Sequence, residues 1–153
     1  MPITPELKMA LHARCCTLVE DRIAAARTAM EEAQAAANEN TKSSAGDKYE
    51  TGRAMMQIER DKAAAQLAQS AQLKQALDGI DPAQVHSRVG LGSLVETPQG
   101  IFFLSAAIGK VELAEQTYWA ISPVSPVGKL MKGKLAGETV TFNGRTFALL
   151  AVG

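Results

Sequence analysis

The stretch Ala24-Ala25-Ala26-Arg27-Thr28-Ala29-Met30-Glu31-Glu32-Ala33-Gln34-Ala35-Ala36-Ala37 holds eight alanines in 14 residues and neither glycine nor proline. Alanine gives up no side-chain entropy in a helix, and Arg, Met, Glu and Gln give up little. The segment therefore predicts a long helix. Working back toward the N-terminus, Thr4 suits an N-cap, Pro5 the first helical position, and Glu6 the positive helix end. Leu11, Cys15, Val19, Ile23, Ala26, Met30, Ala33 and Ala37 recur in steps mostly of three and four, which draws a stripe down one face. The pattern fades at Asn38-Glu39-Asn40, and Thr41-Lys42-Ser43-Ser44-Ala45-Gly46 reads as a loop. A second helix is expected over 47–78, closed by Gly79 and stopped by Pro82, with a weaker stripe of Met55, Ile58, Ala65, Leu67, Leu73 and Leu77.

Neither face reads as broad enough to join a globular core, so each helix is expected to bury its stripe on the other. A short loop between two long helices predicts an antiparallel coiled-coil hairpin, each arm roughly 45–55 Å long. Composition then changes near residue 80, from Ala, Glu, Gln, Arg and Lys to Val, Ile, Phe, Thr, Gly and Pro. We expect strands near 89–96, 101–108, 117–121, 138–142 and 146–152. Asn143-Gly144 marks a type I′ hairpin between the last two. Ser125 can cap, Pro126 open and Gly133 close one short helix. The expected fold class is α+β: a hairpin over 1–80 and a small domain over 81–153, its sheet covered on one face.

Composition limits function. The 153 residues carry 16 basic and 16 acidic side chains. The balance holds in each half, with 10 bases and 11 acids over 1–80 and 6 and 5 over 81–153. A non-specific binder of DNA or RNA needs an excess of cations to displace counterions, so none is expected here; direct sequence-specific DNA binding is not expected either. No apolar run approaches the ~20 residues of a membrane span, and no charged leader precedes an apolar stretch, so a cytoplasmic location is expected. Cys15 and Cys16 are adjacent, which disfavours a bridge between them, and they read as seam and flank positions. His12 and His86 have no partners resembling a catalytic triad and are expected to be exposed. No glycine pattern fits a phosphate loop or a dinucleotide fold. Phe102, Phe103, Tyr118, Trp119, Phe142 and Phe147 sit at strand spacing, where core packing is the first reading.

One pair of acids stands out by position. Asp47 and Glu50 lie at the expected start of the second helix, three residues apart. Asp-x-x-Glu there reads as a capping box, with Asp47 as N-cap and Glu50 at the third helical position. The same pair also suits Mg²⁺, which binds few protein oxygens and keeps several waters. The two readings are compatible, since capping orients side chains whose other lone pairs a metal can use.

The architecture resembles the bacterial transcript cleavage factors GreA and GreB, in which a coiled-coil hairpin with an acidic tip precedes an FKBP-like α+β domain. Gly46-Asp47-Lys48-Tyr49-Glu50 matches the family's Gly-Asp-x-x-Glu. Ile121-Ser122-Pro123-Val124-Ser125-Pro126-Val127-Gly128-Lys129-Leu130-Met131-Lys132-Gly133-Lys134, followed by Gly137-Glu138-Thr139-Val140, resembles its C-terminal signature and is the more specific match. The resemblance implies an auxiliary factor with no cofactor of its own. Its globular domain would dock at the RNA polymerase secondary channel, with Ser125, Pro126, Gly128 and Lys129 in the docking segment. Asp47 and Glu50 would reach the polymerase active site, close to the RNA 3′ end, and share its Mg²⁺ in cutting backtracked RNA. The chain departs from the family at Glu50-Thr51-Gly52-Arg53-Ala54, where the family continues Glu-Asn-Ala-Glu-Tyr. Gly52 loosens the first turn by about 1 kcal/mol relative to Ala, and Arg53 can pair with Glu50. Two further readings follow: a secondary-channel regulator that does not cut, and a coiled-coil module whose FKBP-like domain binds peptides.

Overall fold

The computed structural model describes the backbone of residues 3–42 and 46–153, and side chains over 3–39 and 51–153. Two long helices, α1 (Pro5–Lys42) and α2 (Gly46–Asp78), precede β1 (Leu94–Thr97), β2 (Gly100–Leu104), β3 (Gly109–Leu113) and β4 (Gln116–Ile121). Helix α3 (Pro126–Met131) and strands β5 (Thr139–Phe142), β6 (Arg145–Ala148) and β7 (Ala151–Val152) complete the chain. This is the expected α+β architecture, a helical hairpin followed by a mixed β domain. The start of α1 is as read: Leu7 N–H donates to Thr4 Oγ1 at 3.1 Å, and Lys8 N–H donates to the Thr4 carbonyl. Its end differs, because α1 takes in Thr41 and Lys42, and α2 opens at Gly46.

The chain divides into two compact units, Met1–Thr17 with Leu73–Gly153, and Leu18–Gln72. Within Leu18–Gln72, α1 buries Val19, Ala26 and Ala33, with Ile23, Met30 and Ala37 half-buried between them. The α1 stripe is therefore the seam. On α2 the expected stripe holds only in part: Leu67 and Leu73 are half-buried and Leu77 is fully buried, but its first three members are not on the seam. Met55 and Ile58 are 57% and 65% exposed, and Ala65 is exposed too. Ala63 and Ser70 are buried instead, with Met56 half-buried. Val19, Ala26 and Ala33 advance in steps of seven, and so do Met56, Ala63 and Ser70. That heptad spacing keeps a seam facing its partner along a supercoiled pair. Period selects the α2 seam here, and its most buried positions, Ala63 and Ser70, are small.

In the other unit, the main sheet has the order β3-β4-β2-β1-β7, with β2 and β4 parallel and every other pair antiparallel. A separate β5-β6 hairpin turns at Asn143 and Gly144, whose φ of 51° and 76° fit the expected type I′ turn. The sheet is covered on both faces, a correction to the single covered face read from sequence. Val95 and Leu104 pack with Met131, Val140, Phe147 and Leu149 on one side, where Phe102 meets Phe147 edge to face at 6.3 Å. On the other side Phe103 meets His12 of α1 edge to face at 6.5 Å. Leu11, Cys15 and Leu77 are fully buried in the same unit. The helix ends thus do join a globular core, against expectation.

Strand β3 is absent from the sequence reading. Its hairpin to β4 turns at Ala114 and Glu115, with φ of 50° and 65°. Neither residue carries the turn signal that Asn-Gly gives, so the strand was hidden in what reads as irregular chain.

Candidate functional site

The segment that carries the more specific resemblance is built around Ser122, Ser125 and Gly128. Ser125 is the N-cap of α3, with extended backbone at φ −66° and ψ 160°. Its hydroxyl accepts from Gly128 N–H at 3.1 Å and donates to the Ser122 carbonyl at 2.6 Å. Ser122 Oγ accepts from Val124 N–H at 3.2 Å. Pro126 occupies the first turn, as expected. Gly128 is buried, and a Cβ there would stand 2.2 Å from the Ser122 carbonyl oxygen. Only glycine lets the helix start lie this close to the preceding turn. Gly133, at φ 83°, ends the element, and its N–H donates to the Val89 carbonyl.

These bonds divide the four docking candidates by task. Ser125 and Gly128 hold the turn, while Pro126 and Lys129 are exposed. Exposed apolar side chains flank them: Val124 is 71% exposed, and Leu130 and Leu135 are 39% each. Lys129 on α3 and Lys132 at its C-cap are exposed, and residues 122–134 contain no acid. Arg88 Nη1 donates to the Gly133 carbonyl at 3.3 Å, adding a cation beside the helix end. The segment therefore offers an apolar and cationic surface over a turn fixed by hydrogen bonds.

Asp47 and Glu50 lie outside the residues whose side chains are described. Arg53 is exposed. Among the described residues, no group of three or more His, Cys, Asp or Glu side chains is placed to hold a metal ion. No described helix is long and apolar enough to cross a membrane.

Neither histidine is the exposed residue expected. His12 is half-buried, and its Nε2 lies 2.8 Å from the Leu77 carbonyl oxygen. A carbonyl only accepts, so Nε2 is the donor in this contact, and Nδ1 lies 3.9 Å from Cys16 Sγ. His12 thus ties α1 to α2 through one ring atom while its edge packs on Phe103. His86 is also half-buried, and burial first, then the Lys8 charge, hold its pKa below 6.5. Cys15 is a seam residue as read; burial pushes its thiol up to about 12. Neither Cys15 nor Cys16 takes part in a disulfide. A histidine at helical spacing from the Leu11–Cys15 stripe was the available signal for His12, since position 12 adjoins that stripe.

No family model matches the chain, and no curated protein matches it. A solved structure titled "Structure of the transcription factor Gfh1" is 23% identical, covering 94% of this chain and 93% of that one, with a TM-score of 0.34. At that identity and TM-score the likeness carries no functional argument.

Proposed function

We propose that the chain is a secondary-channel regulator of RNA polymerase, docking through the α3 segment of its β domain. One observation supports this most: the Gre-like segment 121–134 folds into a capped helix that exposes Val124, Leu130, Lys129 and Lys132 on a rigid turn. A fixed backbone bearing apolar groups rimmed by cations suits a protein partner with an acidic, partly apolar surface. The protein would act on the polymerase's own chemistry and carry out no reaction alone.

Stimulated cleavage is the second reading, favoured by Gly46-Asp47-Lys48-Tyr49-Glu50. In that case Asp47 and Glu50 would lend carboxylate oxygens to the second Mg²⁺ of the polymerase, where one metal activates water and the other steadies the leaving oxygen. Arg53, three residues from Glu50, favours the regulatory reading because it can neutralise that carboxylate.

A defined backtracked elongation complex separates the two. A regulator competes with a genuine cleavage factor and releases no short RNA itself. A cleavage factor releases RNA, and Asp47→Asn abolishes the release while binding persists. Absence of any polymerase binding, with no competition at micromolar protein, would sink both readings.

A further inference from the structure

A cavity of about 420 Å³ opens in the β-domain unit, away from α3, lined by Ile3, Thr4, Lys8, Val85, Glu96 and Val152 among others. Its size lies in the range of small-molecule sites, and its wall is mostly apolar. Lys8 lines it and is 2% exposed. An ammonium has three N–H donors. In Lys8 one of them donates to the Gln84 carbonyl at 2.6 Å, and no other hydrogen bond of this Nζ is found among the described residues. The start of α1 also forms part of the wall through Thr4 and Pro5, so the N-terminus of a 38-residue helix borders the same space.

Asp81 attracts the ammonium, yet burial outweighs it and pulls Lys8 below 10.5. His86 stands close enough to feel the Lys8 charge and is held toward its neutral form. Glu96 on the cavity wall repels any anion, a dianion such as phosphate about twice as strongly as a single carboxylate. We propose that this cavity binds a small apolar monocarboxylate, its head on Lys8 Nζ and its hydrocarbon body against Ile3, Val85 and Val152.

The test uses the whole protein with octanoate and 4-phenylbutanoate, read by amide chemical shifts and titration calorimetry. Saturable binding is expected, with shifts confined to residues 3–8, 82–86, 96 and 151–153. Octanamide, which keeps the chain and loses the charge, should bind at least tenfold more weakly, as should inorganic phosphate. Lys8→Met should weaken octanoate at least tenfold. Equal binding of acid and amide would overturn the proposal, as would shifts mapping elsewhere or no binding at millimolar ligand. Should Lys8→Met fail to fold, the acid-to-amide ratio and the shift map of the parent protein decide alone. Because the cavity shares no residue with the α3 segment, this result stands or falls independently of polymerase binding.

Discussion

Ala114 and Glu115 show how much a single turn can hide. Both adopt positive φ, which costs an L-residue roughly 1–2 kcal/mol where a glycine costs nothing of the kind. Ala114→Asn with Glu115→Gly is therefore expected to stabilise the protein by about 1 kcal/mol, after the greater freedom of glycine in the unfolded chain. Urea unfolding of the pair would check it, and a lower midpoint would mean the hairpin does not turn as described. His86 supplies a pH dependence. Its folded pKa lies below 6.5, so the unfolded chain binds the proton more readily. The stability it contributes is complete above pH 6.5 and is lost as pH falls through the lower folded value. His86→Gln should flatten the slope of unfolding free energy between pH 7 and pH 5; an unchanged slope would place the titration elsewhere.

At the scale of elements, α2 separates hydrophobicity from burial. Met55 and Ile58 look like seam residues by type, yet they are exposed, and Ala63 and Ser70 occupy the seam. Close helix approach rewards small side chains, and a large one there forces the backbones apart. Ala63→Leu should destabilise by about 1–3 kcal/mol. Met55→Gln and Ile58→Gln should each stay within roughly 0.5 kcal/mol of the parent, as surface substitutions do. Helical circular dichroism during thermal unfolding would rank the three, and a reversed order would restore the seam read from hydrophobicity.

The molecule as a whole couples its helix ends to its sheet. Leu11, Cys15 and Leu77 are fully buried in the unit that holds β1 to β7, and His12 links Leu77 to Phe103. Leu77→Ala should cost about 2–5 kcal/mol. The loss should show at Trp119, the single tryptophan, which lies on β4 and is 39% exposed. A Trp119 fluorescence melt unmoved by Leu77→Ala would mean that the α2 end and the sheet unfold separately.

Much of this was legible locally. Alanine-rich composition, the Thr4-Pro5 start, the Asn143-Gly144 turn and the Ser125-Pro126 helix opening each act over a few residues, so sequence alone determined them. The acids at 47 and 50 and the α3 segment were likewise visible as motifs. Other features depend on groups far apart in the chain. Which α2 residues form the seam depends on register with α1, since two faces of similar composition are equally helical. The second covered face of the sheet depends on residues near 12 meeting residues near 77 and 103. The Lys8 cavity gathers four separate segments, and burial of a lysine has no local signature. Tertiary packing decided these because desolvation and close approach are properties of the assembled neighbours, which no short window of sequence contains.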